Sequence, residues 1–122
     1  MKLLLRSMFK AEVTDEDGLI FENFLTFMES GLVFDVPEDD FIWMFIKSFS
    51  QAHNHAPSIQ SLRTHFESES KVEVLDRLEI LISFRPIYKG DFIKRVESKA
   101  EERRTRQVLD LFREGAQIIQ AG

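Results

Sequence analysis

The amino-acid sequence predicts an all-α protein, built as a small helical head followed by a long helical hairpin. Apolar residues recur at three- and four-residue steps along most of the chain, which is the period of one helix face. Residues 91–120 contain no proline and a single glycine, as an uninterrupted long helix requires. At about 1.5 Å per residue this helix extends roughly 45 Å, so part of it should project beyond so small a domain.

The first two helices of the head, which spans residues 1–70, follow from local signals. Helix one is expected from Lys2 to about Ala11. Thr14 is a cap residue with acidic residues in the turn after it, where the helix dipole favours negative charge. Gly31 ends this second helix, because glycine adopts the left-handed conformation common after a helix end. The apolar stripe of the second helix is predicted to consist of Phe21, Phe24, Leu25 and Met28.

Proline marks both ends of the third helix. Pro37 lies in the first turn, where its missing N–H is not needed, and Pro57 disfavours helical geometry at Ala56. Ser58 is a suitable cap for a fourth helix that runs to Phe66. We expect the core of the head to be formed by Phe41, Phe45, Phe49, Phe21, Phe24 and Leu62.

Residues 71–122 are interpreted as a helical hairpin and the start of a linker, within one structural domain overall. A fifth helix, 71–84, and the long helix, 91–120, are joined by a six-residue connector that contains Pro86. The long helix extends well beyond the end of the fifth helix, so its distal apolar stripe has no cover within the hairpin. A second copy of the chain is the expected cover. The residues predicted to mediate this self-association are Val108, Leu111, Phe112, Ile118 and Ile119, with Arg103 and Arg104 beside them.

Charge is distributed unevenly along the chain. Residues 11–46 contain ten acidic side chains and no lysine or arginine, whereas residues 47–122 contain thirteen basic and eleven acidic side chains. An acidic front repels a phosphate backbone, so we expect no strong direct nucleic-acid binding. Asp39, Asp40 and Trp43 are candidates for docking a partner protein, although the core is the favoured place for Trp43.

No catalytic, cofactor or metal site is expected. The chain has no cysteine and no glycine-rich phosphate loop. His53 and His55 form a weak metal signature, because no third ligand can be named for them. No apolar run approaches the roughly 20 residues of a membrane helix. The sequence therefore predicts a soluble, cytoplasmic protein that is not an enzyme and does not bind membranes.

A pattern of apolar and basic positions extends from the fourth helix to the end of the chain. It begins with Pro57, Ser58 and Leu62 and continues with Leu78, Glu79 and Leu81 after the turn. In the long helix it comprises Phe92, Ile93, Val96, Lys99, Arg103, Arg104, Val108, Leu109, Phe112, Ala116, Ile118 and Ile119. This pattern resembles the amino-terminal domain of DnaB-type hexameric replicative helicases, and the order of elements agrees over residues 3–119.

The resemblance implies a non-catalytic collar domain that acts in DNA replication. In that family these domains associate through their hairpins into a ring, receive the primase and in some systems a helicase loader, and precede an ATPase motor. The implied partners are therefore a second copy of the chain, in a dimer or ring, and a primase or loader in the primosome. The chain lacks the family's usual proline-led opening, so we expect a divergent relative of phage or plasmid type.

Two other functions are compatible with the sequence. One is a standalone small helical adaptor or regulator that binds a partner protein through its acidic, aromatic head. The other is nucleic-acid binding through the basic side chains of the long helix, which would produce a steep salt dependence. These side chains are Lys94, Arg95, Lys99, Arg103, Arg104 and Arg106.

Overall fold

The structure, a computed structural model, describes the backbone of residues 1–11 and 17–121 and the side chains of residues 1–11 and 18–109. Within these residues the chain is all-α, which confirms the predicted fold class. The predicted cap Thr14 and the side chains of Leu111, Phe112, Ile118 and Ile119 lie outside the described residues. The six described helices are α1 Lys2–Arg6, α2 Asp17–Ser30, α3 Pro37–His53, α4 Ile59–Ser68, α5 Val72–Ile82 and α6 Lys89–Ala121.

Helix boundaries follow the local signals closely. Pro37 is the first residue of α3, and Ser58 caps α4 by accepting a hydrogen bond from the Ser61 N–H at 3.1 Å. Gly31 follows α2 with a φ of 69°, the left-handed conformation that lacks a steric cost only for glycine. These three predictions are confirmed.

α1 is shorter than its apolar pattern predicts. Ser7 caps it after five residues, and the chain beyond it pairs with the start of α4 instead. Lys10 N–H donates to the Pro57 carbonyl at 2.9 Å, and the Lys10 carbonyl accepts from Ile59 N–H at 2.8 Å. Backbone groups that would have continued the helix are therefore satisfied by another segment.

One hydrophobic core joins all six helices. Residues from 71–122 are as deeply buried in it as residues from 1–70, so the described residues share a single core rather than a separate one for each predicted part. Its largest fully buried side chains are Phe9, Phe27, Phe66, Phe92, Leu4, Leu5, Met8, Ile42, Ile46, Leu62, Leu78 and Leu81.

The buried face of α3 differs from the predicted one. Ile42 and Ile46 are fully buried, whereas Phe41 is 43% exposed and Phe45 and Phe49 are only half-buried. α3 packs on α5, α1 and α2 through its isoleucine side, which turns the phenylalanine line towards the edge of the head. The prediction that these three phenylalanines form the core is therefore wrong.

The buried stripe of α2 is also shifted from the predicted one. Ile20, Phe24 and Phe27 are buried, while Leu25 is exposed and Phe21 and Met28 are half-buried. Of the four residues predicted for this stripe, only Phe24 lies fully in the core. The spacing of the buried residues is that of one helix face.

The helical hairpin of the prediction is not confirmed. α6 lies mainly along α2 and also contacts α1, whereas α5 packs against α3, α4 and α1. The long helix thus uses α2 as its main support within the described residues.

Candidate functional site

α6 leaves the head about a third of the way along its length. Phe92 is fully buried, Val96 is buried, and Ala100 still packs against the core. From residue 101 to residue 109 every side chain is exposed, which at about 1.5 Å per residue makes roughly 13 Å of helix without cover. We call residues 101–109 the projecting segment. It meets the expectation, from helix length alone, that part of α6 extends beyond the domain.

The predicted self-association residues fall mostly in or beyond this segment. Val108 is 65% exposed, and its neighbour Leu109 is also exposed. Arg104 is exposed as well. The segment therefore presents uncovered apolar surface beside positive charge within the described residues. The other four predicted members, Leu111, Phe112, Ile118 and Ile119, have side chains outside the described residues.

Arg103 has a role in the fold that its sequence position did not reveal. Its Nη1 donates a hydrogen bond of 2.9 Å to the Gly31 carbonyl, at the end of α2. A cation near the last carbonyls of a helix is favourable, because the helix dipole places partial negative charge there. Arg103 thereby ties α6 to α2 at the point where the projecting segment begins.

Three buried polar side chains hold the base of α6. Arg6 donates to the carbonyls of Phe84 and Phe9, at 3.0 and 2.9 Å. Asn23 donates to the carbonyls of Ser7 and Ile87, both at 2.9 Å. The Ser7 hydroxyl in turn accepts from Ile87 N–H at 2.9 Å.

This polar anchor, Arg6 with Ser7 and Asn23, connects α1 and α2 to the connector that precedes α6. Burial lowers the pKa of the Arg6 guanidinium from its ordinary value, and Tyr88 opposes this effect when its phenol is ionised. The direction of α6 is thus set by hydrogen bonds to backbone groups of the connector. The sequence signal was Asn23, a polar residue three positions after buried Ile20 and four before buried Phe27.

Asp39, predicted as a docking residue, is instead part of a buried ion pair. Its side chain accepts two hydrogen bonds from Arg77 of α5, at 2.6 and 2.9 Å, and the residue is 2% exposed. The bonds that Arg77 donates raise the pKa of its guanidinium above the ordinary value. A bidentate pair of this kind fixes α5 against the first turn of α3. Asp39 is not available to a partner, which corrects the prediction.

Trp43 is likewise in the core and not on the surface. It is 9% exposed, and its ring centroid lies 4.9 Å from Phe27, 5.8 Å from Phe24 and 6.1 Å from Phe34. Aromatic pairs at these separations stabilise a core beyond the area they bury. Of the three predicted docking residues only Asp40, which is half-buried, reaches the surface.

The three histidines surround the half-buried phenylalanines of α3. His53 and His55 lie 4.4 and 5.3 Å from the Phe49 ring, and His65 lies 4.5 Å from the Phe45 ring. Among the described side chains no three histidine, aspartate or glutamate residues are placed to hold a metal ion. The imidazoles instead cover aromatic surface at the edge of the head.

Comparisons of the chain with known protein families, with curated proteins and with solved structures found no match. In the described part of the chain, none of the helices combines the length and the apolar character needed to cross a membrane.

Proposed function

We propose that this chain is a non-catalytic assembly and partner-docking domain, of the kind found at the amino terminus of DnaB-type replicative helicases. The observation on which this proposal depends most is the projecting segment, a helical continuation of a well-packed head in which every residue is exposed. A helix that leaves its own core while retaining apolar side chains is suited to binding another protein.

A second copy of the chain is the proposed cover for this helix. Val108 and Leu109 are exposed, and the apolar positions of the sequence continue beyond them. Leaving such side chains in water forgoes on the order of 1.5–3 kcal/mol each. A two-fold contact between identical helices is the commonest solution, and Glu101 and Glu102 would then face the arginines of the other copy in an antiparallel arrangement.

The proposed setting is a ring of subunits that receives a primase or helicase loader during DNA replication. Its support is the resemblance of the sequence pattern together with the all-α head that supplies a rigid base for α6. ATP hydrolysis would belong to a separate motor domain, because this chain contains no phosphate-loop motif.

Light scattering over a dilution series tests the assembly part of the proposal. We expect the wild-type chain to form dimers or larger species at micromolar concentration. Val108→Asp should weaken the association at least tenfold, because a charge placed in an apolar contact is strongly unfavourable. Gln107→Asp is the matched control, since residue 107 is the exposed neighbour and adds the same charge.

Two further results complete this test. The double variant Phe112→Asp, Ile119→Asp should also be monomeric, as the sequence prediction requires. At a dilution where both proteins are monomeric, the melting temperature of Val108→Asp should be close to that of wild type, because Val108 makes no contribution to the core. A wild-type chain that remains monomeric at several hundred micromolar would contradict the assembly proposal and favour the standalone adaptor.

A further inference from the structure

A cleft lies where α6 leaves the head, between the helix and the loop after α2. Its volume is about 310 Å³. Leu32, Val33 and Asp35 of the loop form one wall, and Lys99, Glu102, Arg103 and Arg106 of α6 form the other, with Met1 at the end. A smaller cleft of about 210 Å³ continues from it towards Arg95 and shares Met1, Lys99 and Glu102.

The helical wall of the cleft is predominantly basic. Arg95, Lys99, Arg103 and Arg106 are spaced by four, four and three residues, so they lie on one side of α6. That side is continuous with buried Phe92, seven residues before Lys99. The face that is apolar inside the head therefore becomes cationic as soon as the helix emerges.

The positive charge of this region is only partly neutralised. Glu102 pairs with Lys99 at 3.3 Å, and Arg103 uses one of its donors on the Gly31 carbonyl. Burial, followed by the charge of Lys99, lowers the pKa of the Met1 amino group, and the charges of Asp39 and Glu102 oppose this effect. Arg106 has no described carboxylate within ion-pair distance.

The other wall provides apolar surface. Val33 is 57% exposed although it stands next to Leu32, which is buried. An exposed valine opposite three cations is suited to a ligand that is both aliphatic and negatively charged. A nucleic-acid backbone fits less well, because it has no aliphatic side chain that could cover Val33.

We propose that this cleft binds a short segment of a partner protein that presents acidic and aliphatic side chains together. The acidic side chains would pair with Lys99 and Arg106, and an aliphatic side chain would cover Val33. This inference rests on the docking part of the proposed function. It adds where on the domain the partner docks and which side chains the partner presents.

Peptide selection tests the inference without knowledge of the partner. A displayed library of random short peptides is selected on the immobilised wild-type chain and counter-selected on the double variant Lys99→Glu, Arg106→Glu. We expect the recovered peptides to be enriched in aspartate, glutamate and aliphatic residues. Recovery of basic peptides, or of none, would overturn the proposal.

A synthetic, fluorescein-labelled copy of the most enriched peptide is then titrated with each variant, and its fluorescence anisotropy is measured. The double variant Lys99→Glu, Arg106→Glu should weaken binding about tenfold or more, because two attractive contacts become repulsive. The matched control is Lys94→Glu, Arg85→Glu, which changes the net charge equally at exposed positions outside both clefts. This control variant should bind the peptide with a Kd within about twofold of that of wild type.

Two more measurements keep the test decisive. Val33→Ala removes aliphatic surface from an exposed position without disturbing the core. It should weaken peptide binding severalfold. A single-stranded oligothymidylate is titrated in parallel. Tighter binding of the oligothymidylate than of the peptide, or equal losses in both charge-reversed variants, would show a general electrostatic surface and overturn the proposal.

Light scattering on the same samples separates this inference from the assembly proposal. A monomeric chain that binds the peptide through the cleft supports the inference while the assembly proposal fails. A self-associating chain that binds no acidic peptide overturns the inference alone. Loss of self-association in Lys99→Glu, Arg106→Glu without any loss of peptide binding would assign these two side chains to the contact between copies, and would also overturn it.

Discussion

The two parts of α6 share one backbone geometry and differ in what covers them. Residues 89–100 lie on the head and place Phe92 and Val96 in the core, whereas each residue from 101 to 109 is exposed. The first part is stabilised by tertiary burial, and the second by helix propensity and by local pairs on its surface. One continuous helix therefore stabilises the fold at one end and is available for binding at the other.

The largest expected effect on stability comes from a substitution in the covered part of α6. Phe92→Ala removes a fully buried ring and should lower the free energy of unfolding by about 3–5 kcal/mol. Val108→Ala, in the same helix but exposed, should change it by less than about 0.5 kcal/mol. Chemical denaturation followed by circular dichroism measures both values at a concentration where the chain is monomeric. Similar losses in the two variants would show that the projecting segment is covered by the head.

The same contrast between covered and exposed positions can be sharpened with two arginine–carboxylate pairs. Arg77→Ala leaves the buried Asp39 carboxylate without its partner and should cost about 3 kcal/mol of stability. Arg63 also makes a bidentate pair with Glu79, at 2.9 and 3.1 Å, but on the surface of the head. Arg63→Ala should therefore cost less than about 1 kcal/mol. Equal unfolding midpoints for these two variants would contradict the burial of the Asp39–Arg77 pair.

A third prediction concerns the phenylalanine line at the edge of the head. Phe45 is half-buried, so Phe45→Ala should destabilise the chain by about 2 kcal/mol, less than the roughly 3–5 kcal/mol expected for a fully buried phenylalanine. Phe41 is more exposed and stacks under the Lys71 ammonium at 3.7 Å, so Phe41→Ala should cost about 1 kcal/mol or less. Thermal melts of both variants measure the difference. A larger loss of stability for Phe41→Ala than for Phe45→Ala would show that Phe41 is the more deeply buried of the two.

The smallest expected effect concerns the junction from which the projecting segment departs. Gly31 has a positive φ and its carbonyl accepts from Arg103, so Gly31→Ala should cost about 1 kcal/mol through backbone strain. Gly18 provides the control, because its φ is not positive and a Cβ added there meets no atom within 4 Å. Gly18→Ala should cost nothing and stabilise the chain by up to about 1 kcal/mol. A neutral Gly31→Ala would argue against the left-handed end of α2.

Local chemistry explains why the helix boundaries were predictable. Pro37, Ser58 and Gly31 act on neighbouring backbone groups, so their effects need no knowledge of the rest of the fold. The end of α1 was not predictable in this way, since the backbone of Lys10 pairs with Pro57 and Ile59 far along the chain.

The candidate site was predicted in part. Helix length alone indicated that α6 projects, and the exposed residues 101–109 agree with it. Asp39 was wrong as a surface residue, because Arg77 pairs with its carboxylate inside the fold, and Trp43 lies in the core, the place that the sequence favoured for it. The cleft was not predicted, since it requires the loop at Val33 to stand beside Lys99.

The sequence by itself determined the all-α class, the starts of α3 and α4, the end of α2 and the presence of a helix longer than the head. Each of these depends on interactions within a few residues, or on a count of residues without a helix breaker. Only the tertiary structure decided which side of α3 is buried and that α6 lies on α2 and not on α5. The physical reason is that Ile42 and Phe41 are both apolar, and hydrophobic burial has no direction until a neighbouring helix covers one side.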